Sequence, residues 1–334
     1  MLPAIFSLSG PALTDDERGL FREADPAGYV LFARNCVDRV QLRALTDSLR
    51  ELSGRADVPI LIDQEGGRVA RMKPPEWPAF PAGQAFAALY EKAPISAIEA
   101  ARVNAIALGL MLAEVGVNVD ALPLLDVRQS GAHDVIGDRA LGDEPMKVAA
   151  LGRAMLDGLA TAGCVGIVKH MPGHGRSMAD SHKELPVVDA TDDELETDIA
   201  PFRALRDAPM AMMSHLLYRA WDAERPASLS PTIIAGIVRD RIGFDGLLMT
   251  DDIGMEALSG TAAERARAAI DAGCDLALHC SGKLGEMEAV AAALPSLSDA
   301  GQQRLTRAME RAGQAVAEDF SALVEKRDAL LAYA

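Results

Sequence analysis

Cysteine is scarce in these 334 residues: there are four, Cys36, Cys164, Cys274 and Cys280, and no Cys-x-x-Cys pair. That weighs against a disulfide framework. Three of the four sit in or beside apolar, strand-like runs, where a free cysteine behaves as a small hydrophobe, and the pattern points to a reducing compartment. Positive charge is in deficit, with 33 Lys and Arg against 49 Asp and Glu and a net charge of −16. Such a chain repels nucleic-acid phosphates and anionic lipid heads, so no nucleic acid and no membrane is expected as a partner. The acidic residues are spread out and form no tail. The N-terminal Met-Leu-Pro-Ala-Ile-Phe-Ser lacks a basic region before its short apolar stretch, unlike a secretory signal. No segment is read as approaching the apolar length of a membrane span. The expectation is a soluble cytoplasmic protein. No Gly-x-Gly-x-x-Gly follows the first apolar run, which argues against an open dinucleotide-binding sheet.

Apolar residues are plentiful, at 49%, enough for a sizeable core. Short apolar runs alternate with stretches of helical period, the mark of repeated βα units and a parallel sheet. Strands are predicted at 3–8, 29–33, 59–63, 117–122, 164–170, 210–215, 247–251 and 276–279, and helices at 40–52, 95–115, 146–162, 192–205, 231–241 and 262–272. Gly116, Gly163 and Gly273 read as helix C-terminal caps. Ser230 before Pro231 reads as an N-cap. Eight such strands predict an α/β fold, a (β/α)8 TIM-type barrel. Two stretches break the rhythm: 66–91, rich in proline and carrying Trp77 and Phe80, read as a long loop, and the polar loop 129–144. The pattern from Leu297 onward is helical and is expected to pack around the barrel. No linker or repeat divides residues 1–334, so one domain is expected.

Polar residues gather at the strand ends, where such a barrel carries its chemistry. Asp63-Gln-Glu-Gly-Gly-Arg68 ends the third strand, and Lys169-His170 the fifth. Ser214-His215 ends the sixth, Thr250-Asp251-Asp252 the seventh and His279 the eighth. Burying such groups is costly unless they pair with each other or with a ligand. The densest stretch is 169–182, Lys-His-Met-Pro-Gly-His-Gly-Arg-Ser-Met-Ala-Asp-Ser-His, which holds three of the six histidines.

Four ordered motifs resemble one family across nearly the whole chain: glycoside hydrolase family 3, in its bacterial β-N-acetylglucosaminidases (β-hexosaminidases) that recycle peptidoglycan. Lys169-His-Met-Pro-Gly-His-Gly175 followed by Asp180-Ser-His182 resembles that branch's signature. Gly243-Phe-Asp-Gly-Leu-Leu-Met-Thr-Asp251-Asp252 resembles the nucleophile segment. Asp63-Gln-Glu-Gly-Gly-Arg-Val-Ala-Arg71 and Val135-Ile-Gly-Asp-Arg139 resemble sugar-binding segments. Met171 stands where Phe or Ile is expected, and Thr250 where Ser is common; neither change removes a reactive group.

The resemblance implies a retaining double displacement. Asp251 would be the nucleophile, with Asp252 a supporting or helix-capping residue. His182 would be the general acid and then base, oriented by Asp180 on a loop that moves in to complete the site. Gly173 and Gly175 would give that loop freedom near its start. Asp63, Arg71, Arg139, Lys169 and His170 would bind the sugar. Asp126 would support Arg or Lys neighbours, and His174 would brace the loop. His215 and His279 stay open between structural and functional roles. The implied substrate is a muropeptide or other amino sugar, with terminal N-acetylglucosamine β-1,4-linked to anhydro-N-acetylmuramic acid. No cofactor and no metal is implied, and a monomer is expected.

Three alternatives stand beside this. Many family 3 β-glucosidases take their acid from a second domain after the barrel, for which the chain to Ala334 leaves no room. Phosphorolysis would replace water by phosphate and is not distinguished by these residues. A metal-dependent amidohydrolase would need a His-x-His pair after the first strand, and no His-x-His occurs in the chain.

Overall fold

Eight parallel strands close into a barrel in the computed structural model, which describes residues 1–179, 181 and 184–334. The strands are Leu2–Ser7, Pro26–Leu31, Ile60–Ile62, Val119–Asp120, Val165–Met171, Met210–Met213, Leu247–Asp252 and Leu276–His279. They neighbour one another in chain order, and the first closes on the eighth with Ala4, Ile5 and Phe6 opposite Ala277, Leu278 and His279. All eight predicted strands are present, several shorter than expected.

Strand side chains alternate between two cores, as a period of two requires. Ile5, Val30, Leu61, Val119, Ile167, Met212, Met249 and Leu278 fill the barrel. Ala4, Phe6, Leu31, Ile60, Val168 and Leu248 face the helices outside. With both faces buried, the strands read as continuous apolar runs. Leu305, Ala308 and Met309, on or just at the end of helix Asp299–Met309, plug one end of the barrel. Each fully buried Leu, Ile or Met contributes about 1.5–3 kcal/mol.

The predicted helices are Arg39–Ser53, Pro94–Glu114, Pro145–Thr161, Asp192–Ala204 and Ala262–Ala272; the sixth is wound as a π-helix over Ile233–Ile242. Ser230 does cap that last one, its hydroxyl accepting from the Ile233 N–H at 3.1 Å. Helices Asp15–Ala24 and Leu284–Ala293 were not expected. The stretch read as one long loop over 66–91 ends in a helix, Gly83–Lys92, that buries Phe86 and Leu89. Helix Pro94–Glu114 corrects the expectation on membrane-length segments: its 21 residues are long and apolar enough to cross a membrane. It is apolar nearly all round because helices Gly83–Lys92, Pro145–Thr161 and Phe320–Leu331 pack against it.

Candidate active site

The third strand hands the chain to a tight reversal. Gly66 and Gly67 take positive φ, 96° and 57°, which side-chain-bearing residues rarely adopt. Gln64 then clamps the returning chain: its Oε1 accepts from the N–H groups of Arg71 at 2.8 Å and Met72 at 3.0 Å. This brings Arg71 back over Asp63, Nη2 to Oδ2 at 2.8 Å. Lys169, from the fifth strand, reaches the other oxygen of Asp63 at 3.1 Å and Glu65 Oε1 at 2.7 Å. Arg139 grips Glu65 with a two-pronged fork, both bonds 2.8 Å. It arrives from the 129–144 loop, which is irregular apart from one turn at Gly137–Arg139.

Three cations thus meet two carboxylates at the C-terminal end of the barrel. Burial pushes Asp63 and Glu65 up, but Lys169 with Arg71 or Arg139 outweighs it and holds both below the usual carboxylate range. Burial opposes the charge on Lys169, yet Glu65 and Asp63 raise its pKa. Among the described residues Lys169 keeps one N–H beyond these two bonds, and Asp63 keeps unused lone pairs. Glu65, which the sequence reading passed over, holds Lys169 and Arg139 together. Its signal was spacing: two residues beyond Asp63, it lies on the same side of an extended chain.

Asp126, fully buried, holds the next residue. Its Oδ2 lies 2.8 Å from Nδ1 of His170, and its Oδ1 accepts from the N–H groups of His170 at 3.1 Å and His174 at 2.7 Å. It therefore supports histidines and their loop, not the Arg or Lys neighbours expected. Asp251 is the next-to-last residue of the seventh strand; burial raises its pKa, but the nearby His170, helped by the Asp252 N–H and Lys169, outweighs this and holds it ionised. Asp252 caps no helix: its Oδ1 accepts from Gly254 at 2.9 Å and Cys280 at 3.1 Å, bracing a turn. His215 bonds the Asp252 carbonyl through Nε2 at 3.0 Å and Ser228 Oγ through Nδ1 at 2.7 Å. The carbonyl must accept, so Nε2 carries a proton; burial lowers the ring's pKa and favours the neutral form, in which Nδ1 accepts from Ser228: a bracing histidine. His279 is fully buried, with Nε2 3.0 Å from the Ser281 hydroxyl and 3.4 Å from Glu286.

The loop after the fifth strand is fastened. Tyr218 donates to the Gly173 carbonyl at 2.7 Å, Gln129 to that of Gly175 at 3.2 Å and His133 to that of Ser177 at 2.8 Å. A Cβ on Gly175 would lie 1.8 Å from the Val127 carbonyl oxygen. Gly175 thus serves close approach, not the freedom expected of it, while Gly173 takes a positive φ of 141°, a conformation that favours glycine. His174 Nε2 lies 3.3 Å from Ser181 Oγ, and the Ser181 carbonyl accepts from Ala257 at 3.3 Å. Asp180 and His182, expected as the acid/base pair, lie outside the described residues.

Asp63, Arg71, Asp251 and Asp252 line one cavity of about 200 Å³, with Phe32, Met212, Met255 and Leu278 as apolar wall. That exceeds several waters at about 30 Å³ each and falls below drug-sized sites of about 300 Å³ or more, the scale of a single sugar ring. A larger cavity, about 580 Å³, lies at the opposite end, by Val165, Pro209, Gly246 and Arg304, and holds none of these groups. Among the described residues no three His, Cys, Asp or Glu side chains converge as a metal site requires.

A parallel barrel with paired charges and an ionised aspartate at its C-terminal rim is a frame compatible with glycoside hydrolysis. Residues 7–314 match the model of the glycosyl hydrolase family 3 N-terminal domain. The β-hexosaminidase of Bordetella avium is 37% identical over 284 residues, spanning 84% of this chain and 80% of that protein. That of Aromatoleum aromaticum is 39% identical over 286 residues, 84% of this chain and 79% of the other. Among solved structures, NagZ from Neisseria gonorrhoeae in complex with N-trifluoroacetyl-D-glucosamine superposes with a TM-score of 0.88 and 30% identity, over 99% of this chain and 97% of that one. The chain belongs to glycoside hydrolase family 3, and within it groups with the β-hexosaminidases.

Proposed function

We propose that the protein is a retaining exo-β-N-acetylglucosaminidase that releases terminal N-acetylglucosamine from muropeptide fragments, β-1,4-linked to anhydro-N-acetylmuramic acid, in cell-wall recycling. The observation that carries this is the ionised Asp251 opening on the same sugar-sized cavity as Asp63 and Arg71. Asp251 attacks the anomeric carbon as His182 gives its proton to the departing oxygen, forming a covalent glycosyl-enzyme. Water then attacks that carbon, His182 takes the water's proton, and Asp251 leaves. Asp180 orients His182. Asp63, Arg71 and Lys169 bond the sugar's hydroxyls, His170 bonds the sugar or its acetamido group, and Arg139 keeps Glu65 and Lys169 in place. The amino-sugar preference is supported by the similarity to the β-hexosaminidases and to the sugar-bound Neisseria protein. The described cysteines are free, which accords with a reducing cytoplasm.

The test is covalent trapping with a slow fluorinated N-acetylglucosamine-like donor, followed by peptide mapping. The label is expected on Asp251; a label on Asp252 or Asp63 would overturn the assignment.

A further inference from the structure

The two arginines of the candidate sugar site are held in different ways. Arg139 is locked by its fork on Glu65, which sets the plane of its guanidinium. Among the described residues Arg71 makes one side-chain bond, to Asp63 through Nη2, and its buried Nε has no hydrogen-bond partner. One bond leaves the plane of the group free to swing.

Phe32 supplies the second constraint. The Arg71 Cζ lies 5.0 Å from the ring centroid, and the Arg34 Cζ lies 4.9 Å from it. Both are within the range where an aromatic ring attracts a cation. The ring is itself well founded. Its backbone N–H donates to the Asn35 side chain at 2.8 Å, and the buried Asn35 amide donates to the carbonyls of Leu8 at 3.2 Å and Gly10 at 2.7 Å. Arg34 is tied down too, donating to the Leu8 carbonyl at 2.8 Å, Ser7 Oγ at 2.6 Å and the Cys280 carbonyl at 2.7 Å. Phe32 also lines the cavity shared by Asp63, Arg71 and Asp251.

We infer that Phe32 is a positioning residue: its ring fixes the plane of the Arg71 guanidinium, so that the N–H groups not used by Asp63 meet the sugar at a set angle. This rests on the sugar-site reading above. It is a different role from that of a wall that merely excludes water, because it acts through one named partner.

The experiment is a double-mutant cycle read as the inhibition constant of N-acetylglucosamine. Phe32→Leu is expected to weaken binding about 3- to 10-fold, and Phe32→Met, which fills the space without a ring, by a similar factor. Phe32→Tyr keeps the ring and stays within about twofold of wild type. In an Arg71→Ala background the Phe32→Leu step is expected to shrink below about twofold. Equal losses in both backgrounds overturn the inference, as does full affinity in Phe32→Leu and Phe32→Met. Wild-type protein that neither binds nor hydrolyses amino sugars overturns the sugar-site reading and this inference with it. Normal wild-type affinity without coupling sinks the inference alone.

Discussion

Asp126 holds His170 at two points, Oδ2 to the ring at 2.8 Å and Oδ1 to the backbone N–H at 3.1 Å. The same carboxylate also takes the His174 N–H. Three donors therefore depend on two oxygens, and Asp126→Asn has one oxygen to offer. One buried donor is left unpaired, at a cost of about 1–3 kcal/mol, to be read by denaturant unfolding. The pH dependence has a definite sign. Burial raises the Asp126 pKa, but the His170 charge and hydrogen bond outweigh this and bring it to about 2. An unfolded aspartate titrates near 3.8. This contribution is complete above about pH 4 and is lost as pH falls toward about 2. Wild type should lose stability more steeply than Asp126→Asn across that window.

His174 has the opposite chemistry and the same direction. Burial, with the nearby His170 charge, lowers its pKa from 6.5 to about 4. The unfolded chain takes up this proton first, so stability falls as the pH drops from about 6.5 to about 4, by roughly 3 kcal/mol at most. His174→Gln should flatten that slope. An unchanged slope in the variant would count against a buried neutral His174.

Glu65→Gln removes the charge that Lys169 and Arg139 share. Stripping one partner from a buried ion pair costs about 3–5 kcal/mol, and the retained amide places the expected loss near the lower end. The midpoint of chemical unfolding should fall, and affinity for N-acetylglucosamine with it. A variant as stable as wild type would mean the cluster is far better solvated than its burial indicates.

His182→Ala is expected to hurt poor leaving groups most, since these need a proton to depart. Single-turnover glycosylation with substrates of graded leaving-group pKa checks it. Natural disaccharides should lose far more rate than activated nitrophenyl glycosides, and Asp180→Ala should repeat the pattern more weakly. If His182→Ala showed no greater sensitivity to leaving-group pKa than wild type, His182 would not be the acid.

The barrel was legible because its strands are buried on both faces and read as apolar runs such as Cys164 to Val168. Asp63, Lys169, His170 and Asp251 were legible because they end those runs. Helix Asp15–Ala24 was not, since its apolar face is only Leu20, Phe21 and Ala24 in a ten-residue segment that is mostly charged. Its signal was the Thr14–Glu17 capping box. Glu65 was hidden inside a motif whose ends drew attention. Phe32 was invisible as a site residue, because an aromatic after an apolar strand reads as core; only the approach of Arg71, distant in the chain, reveals its work. Gly175 misled because a glycine reads as freedom until the Val127 carbonyl is seen against it.

The pairing of the first strand with the eighth carries a consequence for how the chain matures. Leu2–Ser7 has one edge open until Leu276–His279 exists, and the inner core stays unstoppered until Leu305, Ala308 and Met309 arrive. During synthesis the early βα units must wait with an unpaired strand edge and a wet interior, exposed to other chains. Contacts so far apart in sequence are slow to form. The segment that shields the chain from aggregation is therefore made only after all eight strands, and it lies at the end of the barrel away from the chemistry.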